Sequence, residues 1–243
     1  MVYGMRQLFK AGQLQLLPAM CVVCGNLHAD PSIDLCHPCR ALLPRNRLAC
    51  RHCALPLAGN TEHLVCGQCL QRPPRYSRAY CAFEYAYPLA HLIRRCKYGH
   101  EVSLTRVLGH WFAAYLRSQQ RDAWPRCFIP VPLHARRFQQ RGYNQVIELG
   151  RWLEADLAIP MRTDLLERRL DTPEQAGLSR RARRRNLRRA FSVTRVELPK
   201  HVAVLDDVIT TGTTVAEVTR TLLQAGVERV EVWGLARRGR AKS

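Results

Sequence analysis

Apolar positions change their spacing near residue 75, and with it the structure they predict. From Lys10 to Arg75 they are mostly leucines scattered among polar residues, without a single Phe, Tyr or Trp. Aromatic side chains carry a large share of core burial, so a segment this size without them needs another staple to fold. Pro73-Pro74 punctuates the chain, and periodic elements begin beyond it. Tyr76 to Tyr85 is rich in aromatics and predicts one or two strands. Leu89, Leu92, Ile93 and Cys96 keep helical spacing, as do Leu104, Leu108, Trp111 and Tyr115. The apolar run Cys127 to Val131 predicts a short buried strand ending at its prolines. Val146, Leu149, Leu153 and Leu157 mark a helix stopped before Pro160. His201 to Leu205 and Arg229 to Leu235 read as parallel-type strands. Between them Val215, Val218 and Leu222 line one helical face, with Gly226 as its stop. Strands alternating with helices imply a mostly parallel sheet covered on both faces. Two domains are expected, residues 1–75 and 76–243.

Composition narrows the classes. The chain has 243 residues, 47% of them apolar, which is enough for a core and excludes a disordered chain. No eighteen apolar residues run together, so no membrane span is expected. Thirty-eight Lys and Arg against 19 Asp and Glu leave a formal charge of +19. That excess favours polyanions: phosphorylated small molecules, nucleic acid or an anionic lipid surface. Seven arginines fall between Arg180 and Arg189, with no acid among them. They form either a solvated stretch, or a basic lid over a phosphate, or a patch for nucleic acid.

Cysteine supplies the missing staple. Eight of the eleven fall in four Cys-x-x-Cys pairs: Cys21/Cys24, Cys36/Cys39, Cys50/Cys53 and Cys66/Cys69. The first twenty residues hold no apolar stretch long enough for a secretory signal. A cytoplasmic location is therefore expected, and there paired cysteines are metal ligands rather than disulfides. Each pair forms a knuckle, and two knuckles complete a tetrahedral Cys₄ site, so two structural Zn²⁺ ions are expected. Pairing first with second and third with fourth is simpler; a cross-braced pairing stays open. Cys81, Cys96 and Cys127 fall outside the pairs and are expected to be small buried hydrophobes.

The stretch from Val202 to Thr214, VAVLDDVITTGTT, carries the chemistry. An apolar strand delivers Asp206 and Asp207 to its carboxyl end, where ligands sit in open α/β sheets. A loop of small residues then opens onto a helix, offering backbone N–H groups, threonine hydroxyls and a helix dipole to one anion. Gly212 allows close backbone approach or a conformation closed to residues with a Cβ. Carboxylates are poor phosphate ligands, but they accept hydrogen bonds from vicinal sugar hydroxyls. Together these groups describe a pocket for a ribose 5-phosphate. A plain strand–turn–helix with a threonine N-cap accounts for one threonine, not for four and an acid pair.

This segment resembles the 5-phosphoribosyl 1-pyrophosphate (PRPP) signature of type I phosphoribosyltransferases. The resemblance implies that Asp206 and Asp207 are catalytic residues holding the ribose 2- and 3-hydroxyls. It implies that Thr210, Thr211, Gly212, Thr213 and Thr214 cradle the 5-phosphate. Pyrophosphate is then displaced from the anomeric carbon, with Mg²⁺ bound to PRPP, and cations near the leaving group help.

A narrower resemblance spans almost the whole chain. The cysteine pairs, Lys97-Tyr98-Gly99, Pro130 to His134, Arg141-Gly142-Tyr143-Asn144-Gln145, Gln175, Arg183-x-x-Asn186 and Ala190-Phe191 together resemble the ComF/GntX family, which is associated with natural competence and DNA utilisation. In place of a short pyrophosphate loop, this chain has the longer Pro130 to Gln145 segment. Arg136, Arg137 and Arg141 are candidates near the leaving group, because guanidinium groups hold phosphate oxygens bidentately. Lys97 is a further candidate phosphate contact, or else a dipole partner at a helix end. Arg183 and Asn186 are candidates for the basic lid.

The expected fold is a phosphoribosyltransferase-like, mostly parallel α/β sheet flanked by helices, behind a small double zinc-ribbon-like module. The expected function is Mg²⁺-dependent phosphoribosyl transfer from PRPP, or a related phosphorylated sugar, to an acceptor the sequence does not reveal. The alternative is a non-catalytic nucleic-acid-binding protein using the fold as a phosphate sensor. Single-stranded DNA or another nucleic acid, and a protein of the competence machinery, are the expected partners.

Overall fold

The computed structural model describes residues 19–28, 34–59, 64–170, 189–195 and 197–239. The chain forms two compact units, Met1–Leu43 and Pro44–Ser243. The second Cys₄ cluster thus shares a compact unit with the sheet, although composition shifts only near residue 75.

In the first unit β1 (Ala19–Met20) pairs antiparallel with β2 (Leu27–His28), and α1 (His37–Ala41) follows. Among its described residues, Leu35, Leu43, Cys21 and Cys39 are the buried apolar ones.

The second unit starts with α2 (Gly67–Gln71) and β3 (Arg78–Glu84), then α3 (Leu89–Tyr98) and α4 (Leu104–Ser118). Next come β4 (Cys127–Pro130), α5 (Ala135–Arg141) and α6 (Gln145–Leu157). The chain continues through β5 (Leu166–Arg168), β6 (Phe191–Val193), β7 (His201–Ile209), α7 (Thr213–Gln224) and β8 (Arg229–Arg237). The main sheet has the order β3-β8-β7-β4, all parallel. Residues Val202 to Leu205 are buried without interruption, as a central parallel strand covered on both faces requires.

The helices bury the faces their spacing predicts: Leu89, Leu92, Ile93 and Cys96 on α3, and Val215, Val218 and Leu222 on α7. On α4 the buried stripe is rotated toward Val107, Phe112 and Leu116, leaving Trp111 and Tyr115 half-buried. β5 and β6 form a separate antiparallel pair; strands of three residues are too short to show alternation. Cys81, Cys96 and Cys127 are buried, and burial pushes their thiols up to about 12, 12 and 11.

Two strands run past their predicted ends, and this positions the site. β7 continues through Asp206 and Asp207 to Ile209, and β8 to Arg237, with Ile209 opposite Arg237. Glu84 of β3 also lies opposite Arg237, so the carboxyl ends of three neighbouring strands share one edge. No helix among the described residues is long and apolar enough to cross a membrane.

Candidate functional site

The cysteines group sequentially, as Cys21, Cys24, Cys36, Cys39 and as Cys50, Cys53, Cys66, Cys69, with the sulfurs of each set within 4.8 Å of one another. This decides the pairing that spacing left open. Both sets are built on one backbone frame. The amide of Cys21 donates to Asn26 O and that of Gly25 to Cys21 O, each at 2.9 Å. The amide of Cys50 likewise donates to Leu55 O at 2.9 Å, and that of Ala54 to Cys50 O at 2.8 Å.

Sulfurs of Cys24 and Cys36, and of Cys53 and Cys66, stand 3.7 Å apart. A tetrahedral ion with Zn–S bonds near 2.3 Å sets its sulfurs about 3.8 Å apart, so the donor sets fit Zn²⁺. Burial would raise the Cys21 thiol, but amides of Cys24, Cys36 and Val23 aimed at its sulfur hold it at about 6. Cys50 is held at about 7 in the same way, against its own burial, by amides including that of Cys66. Burial and neighbouring thiols raise Cys39 and Cys69 instead. A divalent cation relieves this mutual repulsion of converging thiolates.

At the carboxyl edge of the sheet the two aspartates differ. Asp207 is buried, accepts from Lys97 Nζ at 2.7 Å and receives a hydrogen bond from Gln145 Nε2 at 3.1 Å. Burial alone would raise its carboxyl, but Lys97 and Gln145 outweigh that and hold it below the ordinary range. Lys97 is correspondingly raised: burial opposes its charge, and Asp207 more than offsets this. Asp206 is half-buried, and its Oδ1 accepts the amide of Asp207 at 2.9 Å. Burial, then the charge of Asp207, push it up to about 8. One carboxylate is therefore fixed and ionised, while its neighbour holds a proton near neutral pH.

The loop after β7 turns at Gly212, the N-cap of α7, with φ 75°. That left-handed conformation favours glycine. Thr211 and Thr213 hydroxyls lie 2.8 Å apart, and Thr210 through Thr214 are all half-buried. The first turn of α7 leaves amides without intrahelical acceptors beside these hydroxyls, and the dipole there favours an anion.

The Pro130 to Gln145 segment closes the other side. Gly142 ends α5 at φ 75°, and Asn144 caps α6, accepting from Val146 N at 3.0 Å and donating to Val131 O at 3.3 Å. Tyr143 donates its hydroxyl to Cys96 O, which ties this turn to the end of α3 that carries Lys97. Arg141 donates to Gln145 Oε1 at 3.3 Å, and its guanidinium lies 5.1 Å from the Tyr98 ring centroid. Arg141, Gln145, Asp207 and Lys97 thus form one connected set. Arg136 and Arg137 stand on the first turn of α5, where His134 Nδ1 accepts the Arg136 amide at 3.3 Å.

The double zinc ribbon domain family matches residues 14–70. The chain is 38% identical over 224 residues to competence protein F of Haemophilus influenzae, covering 89% of this chain and 96% of that protein. It is 34% identical over 231 residues to the DNA utilization protein YhgH of Escherichia coli K12, covering 91% and 98%. Against competence protein ComFC of Streptococcus pneumoniae it is 30% identical over 157 residues, covering 64% and 66%. The chain belongs to the competence protein F family.

In this member of the family the structure joins Lys97 to the acid pair directly and Arg141 to it through Gln145. Arg183 and Asn186 lie outside the described residues, as does most of the Arg180 to Arg189 run. Arg189 is described, and its amide donates to Glu217 at 2.8 Å. Sequence reasoning missed two residues of the site. Gln145 closes the Arg141–Gln145 motif, but nothing in its spacing shows that it reaches Asp207. Arg237, buried at the end of β8, carried no signal, because a terminal arginine in so basic a chain reads as solvated.

Proposed function

We propose that this chain binds PRPP with Mg²⁺ at the carboxyl edge of its sheet and transfers the phosphoribosyl group to an acceptor, in the service of DNA uptake or utilisation. The observation that carries the reading is the acid pair leading through a Gly212-hinged threonine loop into the amino terminus of α7. Such an edge offers carboxylates to a sugar and amides to its phosphate in one continuous stretch.

In transfer, the bond from the anomeric carbon to pyrophosphate breaks and a bond to the acceptor forms. The acceptor's proton passes to solvent or a base, and pyrophosphate leaves with both bonding electrons. Asp206 and Asp207 hold the ribose hydroxyls, and Thr210 to Thr214 hold the 5-phosphate. Lys97 maintains the charge of Asp207, and Arg141 stands on the side assigned to the leaving group.

Calorimetric titration of the intact chain with PRPP and Mg²⁺, alongside Asp206→Ala and Asp207→Ala, tests the reading. Binding is expected for the intact chain and lost in both variants; no binding by the intact chain removes the proposal. Pyrophosphate release across a panel of bases and amines then identifies the acceptor.

The second reading is a nucleic-acid-binding protein that senses a phosphate rather than transferring one. The formal charge of +19 favours it, as do relatives named for competence and DNA utilisation. On this reading affinity for single-stranded DNA falls steeply with salt, since counterion release dominates such binding; a flat response argues against it. Both readings place the protein in the cytoplasm, with a competence-machinery protein as a further partner.

A further inference from the structure

Arg237 is buried, and among the described residues no carboxylate lies within ion-pair distance of it. Its donors go instead to main-chain carbonyls: that of the adjacent Arg238 at 3.3 Å, and those of two segments remote in sequence. Nε donates to Cys53 O at 3.1 Å, and Nη1 to Ile209 O at 2.8 Å and to Thr210 O. Cys53 belongs to the second Cys₄ set. Ile209 and Thr210 begin the loop that leads into α7. One guanidinium therefore spans the cysteine knuckle and the threonine loop within a single compact unit.

The knuckle has little freedom to move away from it. Its consecutive carbonyls 52, 53 and 54 are each taken by a different partner: His52 O by the Ala79 amide at 2.8 Å, Cys53 O by Arg237, and Ala54 O by Asn46 Nδ2 at 2.9 Å. The strand carrying Arg237 is equally constrained, since a Cβ at Gly234 would fall 2.7 Å from Ile209 Cδ1 and 3.0 Å from Cys81 Sγ. Charge points the same way. A buried guanidinium needs negative charge nearby as well as acceptors. Four thiolates around one Zn²⁺ carry a net −2, and a phosphate bound at the loop would add a further anion.

We propose that Arg237 is the positioning residue for the Thr210–Thr214 loop, held from the second cysteine cluster, so that metal occupancy there and order in the loop are coupled. The ligand assigned to the loop rests on the function proposed above; the coupling itself does not. Coupling of this kind is reciprocal: what loosens the knuckle loosens the loop, and what orders the loop protects the knuckle.

The test uses the full zinc-loaded chain and the Arg237→Gln and Arg237→Lys variants. It reads amide hydrogen exchange over residues 209–214 and alkylation of individual cysteines under a zinc chelator. In Arg237→Gln, exchange in the loop and alkylation of Cys50, Cys53, Cys66 and Cys69 are both expected to rise on the order of tenfold. Cys21, Cys24, Cys36 and Cys39 react at the original rate, and Arg237→Lys falls between. A rise spread evenly over β7 and β8 marks general destabilisation and overturns the proposal, as does no change at the loop.

Should Arg237→Gln fail to fold, the unaltered chain still decides. As the chelator frees the second cluster, loop exchange must rise in step; a loop that stays protected overturns the coupling. Failure of PRPP to bind removes the function proposed above and leaves both of these readouts standing.

Discussion

The two cysteine knuckles share a frame and differ at the position that turns left-handed. Where the first has Gly25 at φ 75°, the second has Ala54 at φ 53°. Gly25 is exposed with open space around its missing Cβ. Ala54 is buried among Cys81, Ile129 and Ile209 in the core beneath the sheet. A non-glycine residue in this left-handed region costs about 1–2 kcal/mol, and at Ala54 burial of the methyl group offsets part of that. Identical metal chemistry thus serves two ends: the first cluster organises a short segment, while the second is hydrogen-bonded through Arg237 to the loop that follows β7.

The largest expected effect separates them directly. Structural zinc contributes on the order of 10 kcal/mol in small modules, so Cys50→Ser should lower the melting temperature of the sheet unit by more than about 10 °C. Cys21→Ser should leave that melt within about 2 °C of the original. Thermal denaturation followed by circular dichroism, with zinc content measured in parallel, checks both; equal losses break the comparison.

A reference of known kind lies in the same unit at Asp207. Lys97→Met leaves its buried carboxylate unpaired and should cost about 3–5 kcal/mol by denaturant unfolding without altering zinc content. Asn46→Ala removes the donor to Ala54 O and is expected to cost about 1–3 kcal/mol, read in the same unfolding series.

The titration of Asp206 adds a pH signature. Its carboxyl is raised to about 8 from an ordinary 3.8, so between those values the folded state keeps a proton the unfolded state lacks. Stability therefore falls as pH rises through that window, by at most about 1.4 kcal/mol per unit. Measured against Asp206→Asn from pH 5 to 8, the wild type should lose ground steadily, whereas a constant offset contradicts the assignment. Affinity for Mg²⁺-PRPP should rise over the same range, because the ligand takes the ionised form. The smallest effect concerns the hinge positions: Gly25→Ala is expected to cost about 1 kcal/mol of unit stability, and Ala54→Gly less, because relieved strain and lost burial oppose. Chelator-competition midpoints for the two clusters resolve the difference.

Much of this was legible before any coordinates. Helical faces on α3 and α7 repeat often enough for their period to show, and every residue the spacing predicts to be buried is buried, with Thr219 added on α7. The acid pair and threonine loop stand in one continuous stretch, as do the four cysteine pairs. Strand ends were less legible: Asp206, Asp207 and Arg237 interrupt an apolar run, although the ladder continues through them. The Arg141 to Gln145 block was visible as letters, but not the work each does, with Gly142 and Asn144 shaping the turn, Tyr143 bonding Cys96 and Gln145 reaching Asp207.

The sequence by itself determined the metal-binding chemistry, the parallel α/β class and the local strand–loop–helix, because thiol spacing, hydrophobic period and turn residues all act within a few residues. Only the tertiary structure decided that Lys97 and Gln145 fix one aspartate while its neighbour keeps a proton. It alone placed Arg237 between a knuckle 184 residues away in sequence and the loop. Charge and hydrogen bonding depend on distance through space, and the chain reveals that distance only once it has closed.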